Sequence, residues 1–254
     1  MSTTLYVDLM SQPSRACLIF CRLHGLPVAE SVVNIKKGEH RSAAYRSINP
    51  LGLVPFLVDG DFTLPESAAI MAYLAQKHRG LVPDHWYPED IRERAKVDSL
   101  LHWWHTTVRF GASSLVRERV LAPVLGVPSL IPREAFSTQA RDAVAALAAG
   151  SLCSALRVIE GHWLGQGREF LAGGRPCLAD LLIASDLEQL RMMDGAVEGP
   201  GWAELMGPYE RVRGWLDRLE KYCMPHSRDV QRVLVAATAK VVGMRGRSAL
   251  NPKL

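Results

Sequence analysis

The sequence predicts an α/β unit followed by an all-helical domain, on three observations. Strand-like apolar runs alternate with helical patterns in the first eighty residues, proline-containing "LVPDHWYPED" interrupts that pattern, and almost every segment from Ile91 onward has helical spacing. We therefore place an α/β domain at 1–80, a linker at 81–89, an all-helical domain at 90–243 and a tail at 244–254.

The α/β unit has the predicted order βαβ followed by ββα. "TLYVDL" is typical of a strand, "SRACLIFCRLHG" of a helix that ends at Gly25, and "VAESVVNI" of a second strand. After the polar segment "KKGEHRSAAYRSINP", the run "VPFLVDGDFTL" predicts two strands around an Asp59-Gly60 turn. The amphipathic pattern of "ESAAIMAYLAQKHRG" predicts a helix that stops at Gly80.

The second half consists of long helical segments separated by glycine-rich loops. We expect loops at "GQGREFLAGGRP" and "DGAVEGPG". The predicted helices span about 89–120, 133–165, 177–193, 208–223 and 227–243.

Composition and charge exclude several classes of protein. A hydrophobic content of 48% with 22% charged residues is typical of a globular chain with a substantial core. The net charge of +4 is too dispersed for a nucleic-acid surface. Because we find neither a signal-peptide pattern nor an apolar run of membrane length, we expect an intracellular protein with no membrane partner.

The five cysteines do not form a recognisable framework. Their number is odd and no C-x-x-C spacing occurs, so a disulfide scaffold or zinc site is not expected. Cys17 and Cys21, four residues apart, would share one face of the first helix and pack as small core residues.

The segment "DLMSQPSRACL" contains the most chemically suggestive residues. Pro13 favours the first turn of a helix, which places Ser14 inside the helix and Ser11 in the loop just before it. A serine at that point either caps the helix or presents its hydroxyl to a ligand at the helix N-terminus. The residues alone leave both possibilities open.

The order of elements and motifs resembles the cytosolic glutathione transferases. The motifs "DLMSQPSRA", "KGEH", "NPLGLVPFLVDGDFTLPES" and "DHWYPED" are similar to the theta class, and "CMPH" is similar to its plant members. The resemblance spans nearly the whole chain. It implies a thioredoxin-like N-terminal domain, glutathione as cosubstrate with no further cofactor or metal, a hydrophobic electrophile or hydroperoxide as second substrate, and a homodimer.

The resemblance also implies the roles of individual residues. Ser11 matches the catalytic serine, whose hydroxyl would stabilise the glutathione thiolate. The remaining predicted site residues are Val54 and a cis Pro55 for the peptide backbone of glutathione, Glu66 and Ser67 for its γ-glutamyl end, His40 and Arg41 for its glycyl carboxylate, and Arg109 for the electrophile pocket. A capping box formed by Thr63 and Glu66 is a competing structural interpretation.

Three positions depart from the family pattern. Arg41 replaces a common lysine and keeps the charge, whereas Leu53 replaces a lysine and removes a cation from the glycyl end. Cys177 stands where the family pattern has Ser or Thr to pair with Asp180, so we expect a weaker helix start there.

Two other functions fit the same fold. A scaffold protein without activity would have no need of Ser11, Val54, Glu66 and Ser67, and a glutaredoxin-like thiol exchanger would need a cysteine where Ser11 stands. We therefore expect a glutathione transferase that also reduces organic hydroperoxides. The C-terminal "PKL" resembles a peroxisomal address, so we expect both cytosolic and peroxisomal location.

Overall fold

A mixed four-stranded sheet organises the N-terminal part of the computed structural model. The strands are β1 Thr3–Val7, β2 Val28–Val32, β3 Phe56–Asp59 and β4 Phe62–Leu64, in the order β2-β1-β3-β4. β1 runs parallel to β2 and antiparallel to β3, and β3 pairs antiparallel with β4. Leu5 lies opposite Leu57 in the β1–β3 register, and both side chains are fully buried. The predicted strand order along the chain is confirmed.

The structure describes residues 2–127, 138–196 and 198–250, with only the backbone given for 138 and 245–250. The predicted helix start at 133 and the "PKL" tripeptide lie outside these residues. The chain divides into two compact units. The first comprises Met1–Leu101, Arg175–Ser185 and Leu219–Val233; the second comprises His102–Gly174, Asp186–Arg218 and Leu234–Leu254.

Three helices accompany the sheet in the N-terminal region, residues 2–80. They are α1 Gln12–Leu23, α2 Ala43–Ile48 and α3 Ser67–Lys77. α1 and α3 contact each other, and residues 13–21 of α1 are all buried, so this helix forms the centre of the unit. α1 ends where predicted, because Gly25 adopts the left-handed conformation (φ 58°) that favours glycine. The short helix α2 was not predicted.

The second half is helical, as predicted. Its helices are α4 Ile91–Thr106, α5 Val108–Val116, α6 Ala122–Leu125, α7 Thr138–Val158, α8 Leu178–Gln189, α9 Trp202–Met206, α10 Glu210–Tyr222 and α11 His226–Leu250, with π-helical turns at Arg117–Leu121 and Ile159–Trp163. α9 falls between predicted elements, and α11 continues beyond its predicted end at 243. The predicted thioredoxin-like and all-helical fold class is confirmed.

α7 and the π-helical turn after it form a long apolar stretch. By length and composition alone, Gln139–Trp163 could cross a membrane, with a mean hydropathy of 1.5. Core helices of soluble proteins can have the same length and composition, and α7 buries Ala148, Leu152 and Ala155 in the unit where it contacts α5. The absence of a membrane partner stays a prediction.

The N-terminus of α8 is better capped than the sequence predicted. The buried Asp180 carboxylate accepts a hydrogen bond from the Cys177 backbone N–H at 2.8 Å. Half of the capping box therefore forms, because this bond needs only the backbone of Cys177. Burial raises the pKa of the Cys177 thiol well above its usual value, and the Asp180 carboxylate raises it further.

Candidate active site

Ser11 lies at the N-terminus of α1 with its hydroxyl in two long hydrogen bonds. It is the N-cap residue, with extended backbone (φ −82°, ψ 119°), and its Oγ accepts the Ser14 N–H at 3.4 Å. The same hydroxyl donates to the Val54 carbonyl oxygen at 3.3 Å. Both bonds exceed the usual length. The hydroxyl could therefore donate its hydrogen bond to a better acceptor, at little cost in lost bonding to Val54. The predicted placement of Pro13 and Ser14 in the first turn is confirmed.

The neighbouring Ser14 and Cys17 side chains belong to the core. Both are 0% exposed, and the Cys17 Sγ lies 3.8 Å from the Ser67 carbonyl oxygen. Burial raises the pKa of the Cys17 thiol well above its usual value, which suppresses the reactive thiolate. Cys21 is also buried, so the prediction of a core cysteine pair is confirmed. Ser11 is therefore the reactive candidate in this segment.

The segment before β3 holds Val54 next to Ser11. The Val54-Pro55 bond is cis, as the family resemblance implied. The Leu53 carbonyl oxygen accepts the Tyr45 hydroxyl at 2.7 Å and the Asn49 side-chain amide at 2.8 Å, which fixes the chain on the N-terminal side of Val54. The β1–β3 register ends at Phe56, so Val54 lies beyond the ladder, where an extended ligand could pair with its backbone.

Glu66 has a strained backbone at the start of α3. Its φ of 68° and ψ of 113° are unusual for a residue other than glycine, and strain of this kind costs about 1–3 kcal/mol. The capping-box interpretation is wrong: Thr63 lies within β4, the helix begins at Ser67, and Glu66 makes no side-chain capping bond. Both the carboxylate of Glu66 and the N-terminus of α3 are thus available to a charged ligand.

His40 and Arg41 lie in a 3₁₀ turn, Glu39–Arg41. The Arg41 side chain is exposed, whereas the His40 Nδ1 is buried and has no hydrogen-bond partner in the described part of the chain. Burial and the adjacent Arg41 lower the pKa of His40, so its ring is neutral at pH 7. A buried ring nitrogen without a partner suits a ligand that would complete its hydrogen bonding.

Gly52 connects the His40 turn with the Val54 segment. It has a φ of 61°, and a Cβ atom built there would lie only 2.9 Å from the His40 carbonyl oxygen. Glycine therefore permits both the turn and the close approach of the two segments. Together with the Ser11–Val54 bond, this contact brings three predicted site segments into one neighbourhood within the first unit.

Arg109, in the second unit, forms an ion pair with a buried carboxylate. Its Nη1 lies 3.1 Å from Asp186 Oδ1, and Asp186 is 0% exposed. The Trp104 indole donates to Asp186 Oδ2 at 2.7 Å, and the Arg109 guanidinium lies 5.7 Å from the Trp104 ring centre. The guanidinium is thus held in place, and its role towards an electrophile stays a prediction.

Sequence patterns missed three residues that shape the first unit's site. Gly52, Tyr45 and Asn49 position the segment before Val54. Gly52 approaches the His40 backbone, and the Tyr45 and Asn49 side chains bond to the Leu53 backbone carbonyl, so none of these contacts is visible in the local sequence. The glycine two residues before Val54 was the one available signal, since glycine permits a positive φ at a tight turn.

Two family models match the chain. The model for the glutathione S-transferase N-terminal domain matches residues 5–81, and the model for the C-terminal domain matches residues 139–218. Glutathione S-transferase T1 of Arabidopsis thaliana is 37% identical over 92% of this chain and 89% of its own length. Glutathione S-transferase T2 of the same plant is 40% identical over 93% of this chain, which spans 38% of that longer relative.

Solved structures give the same result. A human glutathione transferase theta-2 structure, in complex with glutathione and an unknown ligand, has a TM-score of 0.77 at 32% identity, covering 95% of this chain and 90% of the other. Human glutathione-S-transferase T1-1 in its apo form has a TM-score of 0.76 at 33% identity, covering 98% of both chains. The chain belongs to the glutathione S-transferase family. The resemblance to the theta class, including its plant members, is confirmed.

Proposed function

We propose that this protein is a glutathione transferase in which the Ser11 hydroxyl stabilises the thiolate of bound glutathione. One observation carries the proposal: this hydroxyl lies at the N-terminus of a twelve-residue helix, 3.3 Å from the Val54 carbonyl oxygen. A cysteinyl residue whose backbone paired with Val54 would place its sulfur beside Ser11. The hydroxyl would then donate to sulfur instead of to Val54.

The energetics of this arrangement suffice for activation. A free thiol has a pKa of about 8.5, and lowering it by about two units requires roughly 2.7 kcal/mol of preference for the anion. A hydrogen bond to a charged group contributes about 1.5–3 kcal/mol, and a helix N-terminus about 0.3–1 kcal/mol. Ser11 and α1 could therefore supply the whole shift without a basic side chain.

Each charged group at the two ends of glutathione would face protein groups of complementary charge or hydrogen-bonding character. The γ-glutamyl α-carboxylate would bind Ser67 and the N-terminus of α3, and its amine would face the Glu66 carboxylate. The glycyl carboxylate would accept a hydrogen bond from His40 and face the charge of Arg41. The strained Glu66 backbone and the buried, unpartnered His40 Nδ1 support these assignments.

The activated thiolate would serve two reactions. In conjugation, sulfur attacks the electrophilic carbon, a C–S bond forms, and the leaving group departs with the bonding electron pair. In peroxide reduction, sulfur attacks the terminal peroxide oxygen, an S–O bond forms and the O–O bond breaks. The products are a glutathione sulfenic acid and an alkoxide, which takes a proton from water. A second glutathione then converts the sulfenic acid to glutathione disulfide and water, so two thiols are oxidised for each hydroperoxide.

We also propose that the protein is a homodimer. The first unit exposes large apolar side chains, with Leu51 57% and Phe62 44% exposed, and a second copy could cover them. Sedimentation equilibrium would give twice the mass of the chain, whereas a single-chain mass would refute the dimer.

The proposed role of Ser11 is tested by steady-state kinetics with two matched variants. Ser11→Ala should lower turnover by about a hundredfold, because one donor to a developing anion is worth ~3 kcal/mol. Ser14→Ala removes a buried hydroxyl three residues away and should leave turnover within about twofold, since the Ser14 backbone N–H remains. Equal losses in both variants would contradict the proposal.

Peroxide reduction gives a second test. A thiolate held by a neutral hydroxyl stays nucleophilic towards peroxide oxygen, so we expect glutathione-dependent reduction of cumene hydroperoxide to exceed conjugation of 1-chloro-2,4-dinitrobenzene in kcat/KM. Faster aryl conjugation would refute this preference. Loss of both activities in Ser11→Ala would show that they share one thiolate.

A further inference from the structure

The carboxylate of Asp8 connects two segments that the family motifs treat separately. Asp8 directly follows β1 and is 9% exposed. Its Oδ1 accepts the Met10 N–H at 2.7 Å, and its Oδ2 accepts the Ile35 N–H at 2.8 Å. Its backbone carbonyl accepts the Ser11 N–H at 3.0 Å. One residue therefore bonds to the loop that carries Ser11 and to the segment that leads to His40.

The bond from the Ile35 N–H to Asp8 takes the place of a backbone hydrogen bond between β1 and the segment after β2. The parallel β1–β2 ladder extends to a bond from the Val33 N–H to the Val7 carbonyl at 2.8 Å. A regular parallel ladder would continue from Ile35 N–H to the Leu9 carbonyl. That carbonyl instead accepts the Arg15 guanidinium at 3.0 Å, because the chain has turned towards Ser11. The Asp8 side chain supplies the acceptor that the ladder has lost.

The segment that begins at Ile35 is closely tied to the His40 turn. The Ile35 carbonyl accepts the Gly38 N–H at 3.0 Å, and the Gly38 carbonyl accepts the Arg41 N–H at 2.9 Å. A displacement of Ile35 would therefore move the turn in which His40 and Arg41 lie. The Asp8 carboxylate is also close enough to His40 to act on its pKa, in the upward direction.

We propose that Asp8 is a positioning residue that couples the glycyl end of the glutathione site to the Ser11 loop. This inference rests on the proposed function. The Oδ2 bond would hold the His40 turn for glutathione binding, and the Oδ1 bond would hold the Ser11 hydroxyl for thiol activation. Because both bonds come from one carboxylate, the spacing of the two loops depends on one side chain.

Asp8→Asn separates the two bonds with almost no change in volume. An asparagine keeps one acceptor oxygen, and the local bond to the N–H two residues ahead is the one that Asn side chains readily form. Its NH₂ group cannot accept the Ile35 N–H. We expect the Kd for glutathione, measured by calorimetry, to rise about tenfold, a change that a single hydrogen bond to a charged group can produce. The pKa of the bound thiol and the turnover at saturating glutathione should stay close to the native values.

Asp8→Ala removes both bonds and should affect both properties. We expect the same loss of affinity together with a higher pKa of the bound thiol and about tenfold lower turnover. Asp61→Asn, at an exposed position in the β3–β4 turn, removes the same charge and should change neither property. Native-like thermal unfolding midpoints would establish that Asp8→Asn has folded.

The direction of the change in glutathione affinity shows whether Asp8 acts by positioning the two loops or only through its negative charge. If Asp8 acted only through its negative charge, both variants would bind the anionic tripeptide more tightly and lower the pKa of the bound thiol. Unchanged or improved affinity in Asp8→Asn would overturn the inference. A bound-thiol pKa in Ser11→Ala that stays as low as in the native protein would overturn the proposed function instead, because the calorimetric measurement on Asp8→Asn does not depend on the serine.

Discussion

The close approach of Gly52 to the His40 turn allows a quantitative prediction for Gly52→Ala. The φ of 61° alone costs a residue with a side chain about 1–2 kcal/mol. In addition, the new Cβ would lie 2.9 Å from the His40 carbonyl oxygen, a backbone atom, so one of the two segments must move. Overpacking of this kind costs about 1–3 kcal/mol, which gives a total loss of about 2–5 kcal/mol in the free energy of unfolding.

Gly25→Ala is a matched control for the backbone term. Gly25 has a similar φ of 58°, but among the described residues other than Gly25 and its two chain neighbours, no atom lies within 4 Å of the position that a Cβ would take there. We expect Gly25→Ala to lose only about 1–2 kcal/mol in urea unfolding and to keep its KM for glutathione. Gly52→Ala should lose more and should raise this KM several-fold, because the His40 turn moves. Equal behaviour of the two variants in both assays would refute the argument that Gly52 sets the spacing of the site.

Two further predictions concern His24 and Leu53. Burial lowers the pKa of His24 to about 4 from 6.5, so unfolding takes up a proton between these values and stability falls as the pH drops through them. His24→Phe should reduce this acid sensitivity by about 1–2 kcal/mol in pH-dependent urea unfolding, a figure lowered for solvent screening because the ring is only half-buried. Leu53→Lys restores the cation of the family pattern and should lower the KM for glutathione about twofold to fivefold; a higher KM would refute a role for position 53 at the glycyl end.

The elements with strong periodicity could be predicted from the sequence, whereas the short helices α2 and α9 could not. α2 spans six residues of which only Tyr45 is buried, so the segment has no apolar stripe to reveal it. A structural signal exists in the Ser42 hydroxyl, which accepts the Tyr45 N–H at 3.1 Å as an N-cap. The Thr63–Glu66 capping box failed for a related reason: Thr63 pairs with Val58 in the sheet, and tertiary pairing took precedence over the local pattern.

The same distinction applies to the candidate site. Ser11 could be placed from the sequence because its position depends on the local start of α1 and on Pro13. Asp8 could not be connected to Ile35, since they are 27 residues apart and meet only after β1 and β2 have paired. The strain at Glu66 likewise arises from the junction of β4 and α3.

The central claim is that Ser11 lowers the pKa of the glutathione thiol, and ultraviolet titration of the bound thiolate tests it most directly. In the native protein, we expect the bound thiol to titrate about two units below the value of about 8.5 for a free thiol. In Ser11→Ala, the pKa should rise by at least one unit, because the remaining helix N-terminus contributes only about 0.3–1 kcal/mol. Ser14→Ala should titrate like the native protein. A Ser11→Ala protein that binds glutathione with an unchanged thiol pKa would contradict the account.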